Sequence, residues 1–185
     1  MTDWTRRSFV LAGACGLTAC VSRAPNEQSP RERLDASVDR ALNELYQTVP
    51  GASELGARSQ GVLIIPQIRE AGFFASGAYG EGALVIGPAK VEYYSLSSAG
   101  IGFTFGAAEY NQALFFLTSQ ALQDFRLADG WQLGAQAAVA VPQGGAAAGL
   151  TTTRINRPIV EVVFGQRGLI ADASFAGAKY SRIIR

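Results

Sequence analysis

From Gly61 onward the apolar residues come in short runs bounded by glycine and proline, and this punctuation restricts the fold to a β-rich one. "GVLIIP" and "GALVIG" have the length of buried strands. "AGIGFTFGA" alternates, with Ile101, Phe103 and Phe105 on one face and Gly100, Gly102, Thr104 and Gly106 on the other. "WQLGAQAAVAV" sets Trp131, Leu133, Ala135, Ala137, Val139 and Val141 against Gln132, Gly134, Gln136 and small residues. "YNQALFFL", "PIVEVVF", "GLIADASF" and "AKYSRIIR" complete the strand candidates. They follow one another without helical crossovers, which predicts an antiparallel sheet. Glycine on one face of several strands fits strong bending or the close approach of a second layer. One helix, "SQALQDFRLADG", interrupts them, with Ala121, Leu122 and Phe125 facing inward and Asp129-Gly130 as its stop. Residues Gln143 to Asn156 predict a long mobile loop.

Ahead of the strands lies "SPRERLDASVDRALNELYQTV". Ser29 with Glu32 three residues on forms a capping box, and Pro30 takes the first helical position. Leu34, Val38, Ala41, Leu42, Leu45 and Val49 recur at spacings of three and four, and Pro50-Gly51 ends the helix. Arg31/Asp35 and Arg40/Glu44 are opposite-charge pairs at i,i+4. A second short helix is expected around Ser53 to Ser59. The fold class is therefore α+β: an N-terminal amphipathic helix, then a curved antiparallel sheet (sandwich or small barrel) with one inserted helix.

The first residues read as an address. "TRRSFVLAGACGLTAC" has a charged head, a short apolar middle and a small-residue end, the layout of a secretory signal. Its apolar run is far below the ~20 residues that span a bilayer. Thr5 to Leu11 resembles a twin-arginine export signal, and Leu17-Thr18-Ala19-Cys20 resembles a lipobox. Residues 1–19 are thus expected to be removed and Cys20 to be acylated. Residues 20–29 form a polar tether, and 30–185 a single domain. Val21 after the cysteine resembles sorting to the outer membrane, so the expected location is its periplasmic face.

The 166 residues after the cut suffice for one real core. They carry 14 basic and 14 acidic residues, and this neutrality argues against a nucleic-acid partner. Histidine is absent, which removes the commonest general base and the commonest transition-metal ligand. With one cysteine left after the cut, zinc sites and thiol or serine–histidine catalysis are excluded as well. No metal or cofactor is expected.

Four stretches resemble the SYLF domain family, in its order and over almost all of the domain. They are "GVLIIPQIREAGFFASGAYGEGALV", "YYSLSSAGIGFTFGAAEYNQALFFLTSQALQDF", "GWQLGAQAAVAV" and "GLIADASFAGAKYSRI". The resemblance implies lipid binding. Eukaryotic members bind phosphoinositides through an amphipathic N-terminal helix and a basic surface, and some fungal members bind actin. Neither ligand is expected in a bacterial envelope, so the resemblance carries over membrane phospholipid as the partner. One departure concerns helix 30–49, whose charges come to about −1, whereas a helix lying on a membrane is basic. Its apolar stripe is therefore expected to pack on the sheet.

Arg69, Lys90, Arg154, Arg157 and Arg167, in predicted turns and loops, are the candidate lipid-headgroup residues, because arginine's planar fork donates two hydrogen bonds to phosphate. Most of the aromatics Phe73, Phe74, Tyr79, Tyr93, Tyr94, Phe115, Phe116 and Trp131 are assigned to the core, with a minority beside residues 100–106 as an acyl groove. "SGAYGEG" lacks the following helix of a phosphate loop and is read as a bend between strands. Glu81, Glu92, Glu109, Glu161 and Asp172 are the carboxylates available for acid–base work, and most such residues on strands are expected to face solvent. The expectation is a non-catalytic, lipid-anchored envelope protein that binds phospholipid. The alternative is an envelope scaffold that contacts another protein and has no lipid site.

Overall fold

The computed structural model describes residues 28–72, 75–101, 106–132, 137–140, 157–168 and 178–185. Helix α1 spans Pro30–Thr48 and α2 Ala52–Arg58. The capping box forms as its spacing demands: Ser29 Oγ accepts from the Glu32 N–H at 3.1 Å, and Glu32 Oε2 accepts from the Ser29 N–H at 2.6 Å. Gly51, at φ 83°, then makes the turn into α2. Arg31 and Asp35 approach to 4.0 Å as predicted. The expected Arg40/Glu44 pair does not form. Arg40 turns back to the Ala36 carbonyl and Ser37 Oγ, while Glu44 is taken by Asn111 of the sheet.

The strands are β1 (Gly61–Gly72), β2 (Ala75–Ile86), β3 (Ala89–Ile101), β4 (Gly106–Phe116), β5 (Trp131–Gln132), β6 (Ala137–Ala140), β7 (Ile159–Gly168) and β8 (Lys179–Ile183). Helix α3 (Ser119–Leu127) is inserted after β4, with Thr118 Oγ1 capping the Ala121 N–H. The sheet order is β5-β8-β3-β2-β1-β4-β7-β6. All described pairings are antiparallel, as expected, except β6 with β7, which is parallel. Residues 141–158 between those two strands supply the length that a parallel crossover needs.

Both faces of the sheet are covered. On one, Val38, Ala41 and Leu45 of α1, its C-cap Val49, and Leu55 of α2 are buried against Ile64, Ala83, Tyr93, Phe115 and Val162. The apolar stripe of α1 is thus packed on the sheet, as expected. Each fully buried Val or Leu there contributes about 1.5–3 kcal/mol relative to exposure. On the other face, Phe125 of α3 lies 4.7–4.8 Å, centroid to centroid, from Tyr94 and Phe116, and makes edge contacts with Trp131 and Tyr180. Ile159 and Val163 of β7 share this core with Tyr180 of β8, although the two strands stand near opposite ends of the order. The sheet is therefore curled into a half-barrel.

Covering both faces explains what the sequence reading missed. In β3, Tyr93 goes to the α1 face and Tyr94 to the α3 face, so no alternation marks it as a strand. "AGIGFTFGA" is not one strand: it spans the end of β3 and the start of β4, with 102–105 outside the described residues. "SGAYGEG" is not a bend but part of β2. Gly82 leaves room for the Ile64 carbonyl, and a Cβ at Gly80 would lie 2.7 Å from Ile68 Cγ1. The close approach inferred from the glycines is thus made by the neighbouring strand. Tyr79 is 55% exposed rather than core, and donates its hydroxyl to Glu81. Phe73, Phe74, most of "GLIADASF" and the 143–156 loop lie outside the described residues.

Candidate functional site

Two interruptions in the ladder face each other across β4. Between Ile65 and Ile68 the β1–β4 register shifts, and Gln67 sits at φ 52°, the only non-glycine with positive φ among the described residues. Pro66, without an N–H, suits such a break. On the other side the β4–β7 register shifts between Glu109 and Asn111, opposite Gly165 at φ 64°. Asn111, nearly buried, ties the region together. Its Oδ1 accepts from the Gln67 N–H at 2.9 Å, and its Nδ2 donates to Glu44 Oε2 at 3.2 Å. A Cβ on Gly165 would lie 2.6 Å from that Nδ2 and 2.8 Å from Glu44 Oε1.

The paired bulges and the second half of α1 enclose a half-open cleft of about 150 Å³. It is lined by Ser37, Arg40, Ala41, Glu44, Pro66, Gln67, Glu109, Asn111, Gly165 and Arg167. Arg69, Glu109 and Arg167 stand in one cross-strand row over β1, β4 and β7. Arg69 Nε lies 3.7 Å from Glu109 Oε2. The cleft therefore combines guanidinium, carboxylate and amide groups at one mouth, an arrangement that binds polar ligands by charge-assisted hydrogen bonds.

The five headgroup candidates divide. Arg69, Lys90 and Arg167 lie in β1, β3 and β7 rather than in turns or loops. Arg69 and Arg167 come together around Glu109. Lys90 is held elsewhere, its Nζ 2.6 Å from Asp39 Oδ1. Arg157 is exposed just before β7, and Arg154 and Cys20 lie outside the described residues. Gln67 and Asn111 escaped the sequence reading, and Arg40 and Glu44 entered it only as a charge pair on the helix. A proline inside the apolar run of β1 and a glycine inside β7 were the available signals of the bulges.

The carboxylates also separate. Glu92 accepts from Arg126 at 2.9 and 3.1 Å and from the Tyr94 hydroxyl at 2.7 Å, and Arg182 lies 3.4 Å away. The Arg126 bonds foremost hold its carboxyl below the usual range. The Tyr94 hydroxyl is pushed up to about 12, first by burial and then by Glu92. Glu81 is bound by Tyr79 and Arg185. Asp172 lies outside the described residues.

Glu161 corrects the expectation of solvated carboxylates. It is fully buried inside the half-barrel, and burial pushes its carboxyl up to about 7 despite the Gln112 amide N–H bonded to Oε1. Its Oε2, Gln112 Oε1 and the Tyr180 hydroxyl have no hydrogen-bond partner among the described residues. Among the described residues no cluster of three potential metal ligands occurs, and no helix is long and apolar enough to cross a membrane.

Residues 97–182 match the family described as Ysc84, Las17-binding protein actin regulator. This is the SYLF domain family of the sequence resemblance. The matched span runs from late β3 into β8 and supplies Glu109, Asn111, Gly165 and Arg167 to the cleft, while α1 and β1 supply the opposite wall. The family is linked to lipid and actin binding and is generally non-catalytic. No curated protein matches the chain.

Proposed function

We propose that this chain, with its Ysc84 (SYLF) domain match over residues 97–182, is a bacterial envelope lipoprotein that binds phospholipid and performs no chemistry. In this reading, residues 1–19 direct export, acyl chains on Cys20 hold the protein at the periplasmic face of the outer membrane, and residues 20–29 are the tether. Each buried methylene contributes about 0.8 kcal/mol, so two or three chains make release slow. Anchoring by acyl chains leaves the domain free to be neutral.

The observation that carries the reading is the presence of Arg40 and Arg167 in the lining of one polar cleft between α1 and the two bulges. Guanidinium forks match phosphate oxygens, and Arg167 brings one to the cleft with amide groups alongside, while Arg40, held through Nε and Nη2 by the Ala36 carbonyl and Ser37 Oγ, adds positive charge. Helix α1 contributes Arg40 from its polar side while its apolar stripe stays in the core. Lipid contact is thus assigned to the cleft and not to an inserting helix.

Flotation of the full chain carrying Cys20→Ser on phospholipid vesicles tests this. Binding that persists without acylation, and weakens in Arg40→Ala/Arg167→Ala, is expected. Loss of all binding with the thiol replaced would favour the protein scaffold.

A further inference from the structure

Two cations and two carboxylates face the same cleft. Arg40 comes from α1 and Arg167 from β7, against Glu44 from α1 and Glu109 from β4. Glu109 already has Arg69 within 3.7 Å. Glu44 is half-buried, and Asn111 takes only its Oε2; among the described residues Oε1 accepts no hydrogen bond. The Arg167 side chain has no ion-pair or hydrogen-bond partner among the described residues. The cleft thus keeps one carboxylate oxygen and one guanidinium available in its lining.

A bare phosphate or an anionic headgroup answers only the arginines and is set against Glu44 and Glu109, and like-charge juxtaposition selects against it. A ligand bearing a cation beside its phosphate answers both walls. The kind of cation is also constrained. Quaternary ammonium groups, which have no N–H to donate, are held by aromatic faces. No aromatic residue lines this cleft among the described residues, whereas carboxylate and amide oxygens do. A primary ammonium, with three N–H donors, fits such oxygens.

We infer that the cleft between α1 and the two bulges recognises a phosphate ester carrying a primary ammonium, the chemistry of a phosphoethanolamine group, with Arg40 and Arg167 on the phosphate and Glu44 on the ammonium. This rests on the phospholipid reading above and narrows it. The lipid headgroup and free phosphoethanolamine share the chemistry.

The test measures binding of the full chain carrying Cys20→Ser to three vesicle types: phosphatidylcholine alone, and phosphatidylcholine mixed with phosphatidylethanolamine or with phosphatidylglycerol. Soluble phosphoethanolamine and inorganic phosphate serve as competitors. Preference for the ethanolamine vesicles is expected, and Glu44→Gln should reduce that affinity about tenfold, the loss of one charge-assisted hydrogen bond. The glutamine still accepts from Asn111, so the fold is retained; Glu109→Gln, at the carboxylate already paired with Arg69, should lower the affinity less. Displacement by soluble phosphoethanolamine but not by inorganic phosphate supports the zwitterion and, if the soluble compound binds as tightly as vesicles, places its source in solution. Equal binding to all three vesicles, or tighter binding to phosphatidylglycerol, overturns the inference and leaves the phospholipid reading standing. Binding to none of the vesicles and to neither competitor overturns both.

Discussion

Asn111 on β4 donates its side-chain N–H to Glu44 on α1 at 3.2 Å while its oxygen accepts the Gln67 N–H of β1 at 2.9 Å. One nearly buried amide thus joins a helix, a bulge and a central strand. Replacing it by alanine leaves a backbone N–H and a carboxylate oxygen without their partner. Asn111→Ala is expected to cost about 1–3 kcal/mol, read as a lower urea midpoint with an unchanged slope.

Gly165 is the second fixed point of the cleft. Its φ of 64° is strained for any side chain, and a Cβ would press on Asn111 and Glu44. Gly165→Ala should therefore lower stability by at least about 1 kcal/mol and also disturb the cleft wall. A melting temperature within experimental error of the parent would show that the bulge does not need glycine.

The buried carboxyl of Glu161 gives stability a pH dependence of known sign. Its value rises from 4.5 to about 7 on folding, so the folded chain holds this proton more tightly than the unfolded one. The associated stabilisation is complete below pH 4.5 and is lost as pH rises through about 7, amounting to about 3 kcal/mol at most. Glu161→Gln should flatten this limb between pH 5 and pH 8 in denaturation series.

Glu92 acts in the opposite direction. Arg126, Tyr94 and Arg182 hold its carboxyl low in the fold, so its contribution is present above the ordinary carboxylate value of 4.5 and disappears as pH falls below it. Glu92→Gln should remove most of its benefit at neutral pH while changing stability little at pH 3. The difference between parent and variant, followed by thermal melts across pH, checks this.

Much of the fold was legible in the sequence. The start of α1 follows from Ser29, Pro30 and Glu32 and its end from Pro50-Gly51, local signals that need no tertiary context. The β texture after Gly61 is equally local. The cleft was not legible, because Gln67, Asn111 and Gly165 meet only once strand register is set, and register is a long-range property. Glu161 was misread for a related reason. In a sheet covered on both faces, a polar residue between apolar neighbours gives no sign of whether it meets solvent or core.

The central claim is that lipid is held by the cleft and not merely by acyl chains at Cys20. It is tested most directly by vesicle-binding isotherms of the Cys20→Ser chain with and without Arg40→Ala/Arg167→Ala, alongside matched thermal melts. Unchanged melts and at least about tenfold weaker binding are expected when both guanidinium groups are gone. Superimposable isotherms would contradict it.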